Sequence, residues 1–445
     1  MPRLLPLLAA ATLTACENDL PTAVDEGLLP VGPVTVEVRL PWSQFAANLR
    51  VLGGFGRAAE VGKGFLAQQY QGVLDARTLV RLASFPREAT VRDSTGTTRA
   101  DNQLTFLGGS LMVKFDLEAS TNAGPVTIGA GRTLTRWDVN TVGWVNAVDT
   151  LTRKVPWPEA GGGPVAALST EVWNKSATQD SVMIKLDSAM VAALADTASD
   201  RGVRITVETP GERLQVRQVR LYLTARPSVN KDTVITLPVE VTELTFIYAP
   251  PPSAPADGLR VGGIPSWRSI FTLALPASVA GSPAACARVT CPLTLTADRI
   301  NHAGLVLTTR PVEVAFRPTD SLAVEARAVL APEALPKSPL GNPLFVADIG
   351  RTIGASLPVA AFQPGGARTI ELALTPFVQD LARGKTLAGG GVNPTLALIS
   401  LRCPSELTGC FESQSLAYSS FVGPGQPAEP YLRLILTVSD RVKLP

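Results

Sequence analysis

The tightest constraint on this chain is a two-residue rhythm. Val34, Val36, Val38 and Leu40 fall on one side of an extended segment, with Thr35, Glu37 and Arg39 on the other. Successive side chains of a strand point to opposite faces, so the pattern predicts a strand with one face buried and one in water. Shorter runs of the same kind follow at Thr78 to Leu82, Leu104 to Phe106, Leu111 to Phe115, Val182 to Leu186, Val203 to Val207 and Val219 to Leu223. Gly, Pro, Asn and Asp punctuate them. Many short strands with few helical patterns predict an all-β fold of antiparallel sandwiches, each sheet packing one face inward. Helix is expected only in short pieces, as where Ser188 caps a turn or two through Ala195 with Met190, Val191 and Leu194 toward the core.

At 445 residues the chain exceeds one ordinary core and suits two domains. Four prolines between Ala249 and Asp257 forbid a central strand there. That segment reads as a long loop just inside the second domain, because Val239 to Tyr248 looks like the opening strand of that domain. The boundary then falls near Ser228 to Asp232, giving domains of 34–229 and 230–445.

The second domain echoes the first. Arg77 to Leu82, before Phe85-Pro86, has a partner in Arg268 to Leu273, before Leu275-Pro276. Val182 to Leu186 with its Ser188 helix matches Arg368 to Leu372 with Thr375-Pro376, where threonine can cap and proline fits the first helical position. The closing runs Val219 to Leu223 and Leu432 to Leu436 complete the match, and Gly389 through Cys410 is an insertion of the second copy. These landmarks resemble the extracellular DNRLRE-type β-sandwich of bacteria, although the hexapeptide itself is absent. That family places tryptophans between the halves of the sandwich, where Trp144 and Trp157 fall in this chain. The resemblance implies two jelly-roll-like β-sandwich domains in tandem, each with a short helix, on a secreted or surface protein and often non-catalytic. It implies no substrate.

At the other end of the sequence, Arg3 precedes an apolar run from Leu4 to Ala15 that is too short to span a bilayer and reads as an export signal. Leu13-Thr14-Ala15-Cys16 resembles the lipobox of bacterial lipoproteins, in which the cysteine becomes the acylated N-terminus once residues 1–15 are removed. Several acyl chains, at about 0.8 kcal/mol per buried methylene, make such an anchorage lasting. Residues 16–33 then form a flexible stalk rich in Asp, Glu, Pro and Gly. Glu17, where inner-membrane lipoproteins carry aspartate, favours the outer membrane at the level of the family. The expected address is the cell envelope.

Lys+Arg 40 against Asp+Glu 38 leaves a formal charge of +2, too small a field to recruit nucleic acid. Beyond the lipid-bearing thiol, Cys286, Cys291, Cys403 and Cys410 form an even set in an exported chain. Disulfides are expected, with local pairing preferred to crossed pairing. Their spacings do not match zinc knuckles, so no metal is expected.

Motifs for catalysis are missing from the sequence. There is no Gly-x-Ser-x-Gly elbow and no His-Glu-x-x-His helix, and Gly161-Gly162-Gly163 and Gly389-Gly390-Gly391 lack the Lys-Ser/Thr of a phosphate loop, so both read as flexible turns. His302 is the single histidine, which rules out a histidine-rich metal site, and it reads as a loop or strand-edge residue. Trp137, Trp144, Trp157 and Trp173 are the candidate ligand-binding residues, since exposed indoles stack on sugar faces whereas buried ones fill a core. Asp138, Glu159 and Glu171 surround them and offer acids for glycoside hydrolysis. The acidic loop Asp196 to Asp200 lacks the regular spacing of a calcium site, and no cofactor is expected. The reading that results is a lipid-anchored, non-catalytic envelope protein that binds a glycan or an envelope protein. The alternative is a lipoprotein enzyme acting on polysaccharide.

Overall fold

The computed structural model describes residues 33–53, 57–150, 152–196, 200–264, 266–335, 338–344, 355–384, 393–402, 411–412 and 415–439. The lipobox with Cys16, most of the stalk, Gly389 to Gly391, Cys403 and Cys410 lie outside the described residues. The fold is all-β and sandwich-like, with antiparallel strand pairs throughout the described sheets. No helix among the described residues is long and apolar enough to cross a membrane.

The chain runs first through β1 (Val34–Pro41), the short α1 (Trp42–Phe45) and β2 (Ala46–Leu52). Next come β3 (Gly64–Tyr70), β4 (Leu74–Leu82), β5 (Ala89–Arg92), β6 (Thr98–Asp101), β7 (Thr105–Phe115) and β8 (Val126–Thr133). An excursion carrying β9 (Asn146–Asp149) and β10 (Lys154–Pro156) leads to β11 (Val165–Trp173) and β12 (Ser181–Asp187). The half closes with α2 (Ser188–Ala195), β13 (Gly202–Val207) and β14 (Arg213–Arg226).

The second half opens with β15 (Ile235–Val239), β16 (Val241–Ala249), β17 (Gly258–Gly262) and β18 (Arg268–Leu273). It continues through β19 (Ser278–Val279), α3 (Pro283–Cys286), β20 (Leu293–Thr294), β21 (Ile300–Thr308), β22 (Leu322–Val329), β23 (Leu340–Pro343) and β24 (Ala355–Leu357). It ends with β25 (Thr369–Ala373), α4 (Thr375–Ala382), β26 (Thr395–Arg402), β27 (Phe411–Glu412), β28 (Tyr418–Val422) and β29 (Tyr431–Val438).

Strand neighbours recur from one half to the other. β7 lies between β12 and β14 as β21 lies between β25 and β29. β13 joins β4 to β8 as β26 joins β18 to β22. β3 pairs with the start of β14 as β17 pairs with β28. The opening strands, however, trade places. β1 pairs with β29 and β2 with β18, while β15 pairs with β14 and β16 with β4. Each sandwich is therefore closed by the strand pair that begins the other half.

This differs from a division at 34–229 and 230–445. The run expected to open the second domain borders β4 in the first sandwich, and Val34 to Leu40, expected to open the first, completes the second. Alternation shows that a strand has a buried face but not which sheet it joins, so the exchange leaves no local trace.

One core fills the first sandwich with Val80, Leu111, Val113, Phe115, Ile128, Val203, Ile205 and Leu221. The second core joins Val36, Val38 and Leu40 of β1 to Leu432, Leu434 and Leu436 of β29, and extends to Phe65, Tyr70 and Phe246 of the first sandwich. The two bodies thus share an apolar junction. Each such side chain contributes about 1.5–3 kcal/mol on burial.

Local details follow from hydrogen bonding. Asp187, not Ser188, caps α2, accepting from the Met190 N–H at 2.8 Å, while Val191 and Leu194 are buried as expected. Thr375 does not cap α4; its hydroxyl accepts from the Ala303 N–H at 2.9 Å and ties the helix to β21. Cys286 and Cys291 form the local disulfide, with Cα atoms 5.5 Å apart. Glycine is required beside it, because a Cβ on Gly281 would lie 2.6 Å from the Cys291 sulfur.

Candidate functional site: a charged groove on the first sandwich

On β4, Val80 and Leu82 face the core of the first sandwich while Arg77, Leu79 and Arg81 face outward. The excursion between β8 and β11 folds back over this outer face. Trp137, Ala147 and Trp157 from the excursion bury against Leu79 and Ile247 in a satellite cluster. Arg81 pins it there, with its guanidinium 4.5 Å over the Trp137 ring, a donated bond of 2.7 Å to the Trp137 carbonyl, and ion pairs to Asp200 and Glu243. Trp157 Nε1 donates to the Gly143 carbonyl at 2.9 Å.

Two more arginines, Arg77 on β4 and Arg204 on the neighbouring β13, staple the far end of the excursion. Gly161, Gly162 and Gly163 adopt φ of +86°, +95° and +67°, a backbone that ordinary side chains resist. The turn is buried, and its carbonyls face the sheet. Arg77 Nη1 donates to Gly161, and Arg204 Nη1 donates to Gly163 at 2.6 Å. A Cβ on Gly161 would stand 2.7 Å from Arg77 Nη1 and 2.9 Å from the Trp144 ring, and one on Gly162 would stand 3.0 Å from Arg204 Cδ. The triple glycine, expected as a flexible turn, is a tightly held one.

Beyond the staple the outer face is open. A groove of about 270 Å³ is lined by Asp75, Arg77, Arg204, Thr206 and Glu208, and the last three also line an adjoining hollow of about 400 Å³. Gly129 and Gly131 of β8 form part of the hollow because they leave the strand without side chains. A Cβ on Gly129 would lie 2.5 Å from Glu208 Oε1. The hollow alone, at about 400 Å³, falls within the range of small-molecule clefts, and the groove extends it.

Burial draws the Arg77 guanidinium below its ordinary pKa, opposed by Asp75. Burial, then repulsion from Arg77, brings Arg204 down to about 10, with Glu159 acting in the opposite direction. Both remain cations at neutral pH, so the groove presents forked donors beside a hydroxyl and two carboxylates. This is chemistry for recognising anionic or hydroxylated ligands.

Most of the residues singled out in the sequence lie elsewhere. Trp137, Trp157 and Trp173 are buried, the last stacked on Phe115 at 4.1 Å between ring centres, which leaves them no face for a ligand. Burial of an indole in apolar surroundings is the cheaper outcome when its N–H finds a carbonyl, as that of Trp173 does at Gln179. Trp144 is half-buried, with Arg77 4.9 Å over its ring, and does not itself line the groove. Asp138 is engaged by its own turn, accepting from the Asn140 N–H and the Thr141 hydroxyl. Glu159 is exposed at the lip of the glycine turn, and Glu171 is half-buried on β11; none of the three acids lines the groove. Asp200, from the acidic loop weighed for calcium, is bound by Arg81 and Arg136.

His302 lies near the start of β21, beside a bulge in its pairing with β29 and ahead of the first β25 pair at Gly304. Its Nε2 is 2.5 Å from Glu371 Oε1. Glu371 and Glu37 both pair with Arg433, giving a polar ladder across four strands.

No family model, curated protein or solved structure matches the chain. The groove therefore rests on its own residues. Arg204, Thr206 and Glu208 escape a motif search because they form no motif. The available signal is the alternation of glycine through Gly129-Ala130-Gly131 in a strand, which marks close approach by another group.

Proposed function

We propose that this protein is a lipid-anchored component of the bacterial cell envelope that binds polysaccharide in the outer-face groove and does not cleave it. The supporting observation is the pair Arg77 and Arg204, held on neighbouring strands beside Thr206 and Glu208. Saccharide hydroxyls take bonds from and give bonds to such groups, and acidic sugars add a carboxylate that fits a guanidinium fork. Rigid strands fix the donors, which limits the entropy lost on binding. Export and acylation at Cys16 would place the groove outside the cytoplasm, and the likeness to DNRLRE-type sandwiches accords with a non-catalytic surface module.

The experiment is equilibrium binding of the processed chain to purified envelope polysaccharides, with the size of the polysaccharide measured before and after. Arg204→Gln and Glu208→Gln should each weaken binding about tenfold, the loss of roughly 1.4 kcal/mol expected for one charged hydrogen bond. Glu208→Gln leaves the glycine staple untouched and so separates recognition from folding. Unchanged affinity in both variants contradicts the groove; a shortened polysaccharide contradicts the absence of catalysis. Acylation is tested by palmitate labelling of wild type against Cys16→Ser.

A further inference from the structure

The junction between the two sandwiches holds a partly open pocket of about 100 Å³ that is separate from the groove. One side is cationic, from Lys63, Arg213 and Arg317; the other is apolar, from Phe65, Leu322 and Leu416. Asp320 lies exposed among the lining residues.

Arg213 stands out. Its residue is 6% exposed, yet among the described residues no carboxylate comes within ion-pair distance of it. Its guanidinium stacks 5.3 Å over the Tyr70 ring and donates to the Ala315 carbonyl at 3.1 Å across the junction, leaving Nε buried without a partner. The neighbouring acid, Asp116, is taken by Gln215 and Arg217. Arg317 repeats the pattern, with one bond to the Val312 carbonyl and a buried, unpartnered Nε. Burying the Arg213 cation without a counter-charge is costly, and the half-exposed Arg317 adds a second positive charge to the same pocket.

We infer that this pocket binds one small carboxylate anion, its carboxyl toward Arg213 and Arg317 and a short alkyl tail toward Phe65, Leu322 and Leu416. The volume suits a ligand of a few heavy atoms, and the pocket shares no lining residue with the groove, so the two sites are distinct. Because Arg213 reaches from β14 to Ala315, occupancy would tie the sandwiches together.

The test uses the whole chain, titrated with acetate, propionate and butyrate against sodium chloride at equal ionic strength, read by calorimetry and melting temperature. Saturable binding with a rise in Tm, strongest for one chain length, is expected for the carboxylates and not for chloride. Arg213→Gln should abolish it. Arg317→Gln, at a half-exposed position that should not endanger folding, should weaken it at least tenfold. An equal response to chloride, or undiminished carboxylate binding in Arg317→Gln, overturns the inference.

Discussion

Phe45 offers the sharpest probe of the exchanged strands. It lies in α1, between β1 and β2, and is fully buried. Its ring sits 5.5 Å from that of Trp42, which in turn is 4.8 Å from Phe271 on β18. Phe45→Ala thus opens a hole between the N-terminal strand pair and the second sandwich, although in sequence it lies next to the first. Phe→Ala in a core costs 3–5 kcal/mol, so about 4 is expected here. At 1.4 kcal/mol per tenfold, amide protection limited by opening of the second sandwich should fall about a thousandfold. Hydrogen exchange read by mass spectrometry locates the loss. Peptides from β18, β21 and β29 should lose protection, while those from β7, β8 and β13 retain it. Loss confined to the first sandwich, or spread evenly, refutes the strand exchange.

Three further outcomes are expected. Gly162→Ala should lower stability by about 1–3 kcal/mol in chemical unfolding, since its φ of +95° disfavours a side chain and Arg204 Cδ crowds the position. Asp93, in the β5–β6 hairpin, accepts from the Thr95 hydroxyl and from the Thr95 and Thr97 N–H groups, and these bonds with Arg99 bring its pKa down to about 2. A depressed carboxylate stabilises the fold above its unfolded pKa of about 3.9 and loses that contribution as pH falls toward 2; NMR titration should find the low value, and Asp93→Asn should remove this acid dependence. Reducing the Cys286–Cys291 bond, which closes a ring with a sequence separation of 5, should cost about 2 kcal/mol, seen as a lower midpoint in urea with reductant.

What could be read in advance depended on range along the chain. The burial of Val34, Val36, Val38 and Leu40 against the exposure of Thr35, Glu37 and Arg39 follows the period of a strand and needs no partner to be recognised. The Cys286–Cys291 pair and the buried stripe of α2 are equally local. The partner of β1 is not local, because it lies at the far end of the chain. The same holds for the glycine turn, whose rigidity comes from Arg77 and Arg204 on strands distant in sequence. Tryptophan identity was legible and tryptophan burial was not: Trp173 and Trp144 share chemistry, yet one is stacked in the core and the other is half-buried against Arg77. The groove joins residues from several strands, with glycines where side chains would fill it, and only folding assembles it.

The most direct measurement is calorimetric titration of the processed protein and its Arg204→Gln and Glu208→Gln variants with the polysaccharide of its own envelope, followed by sizing of the recovered polymer. Saturable binding by the wild type, an affinity about tenfold lower in each variant and a polymer of unchanged length are expected. Equal affinity in all three proteins, or a polymer cut to fragments, would contradict the proposal of a groove that holds its ligand without breaking it.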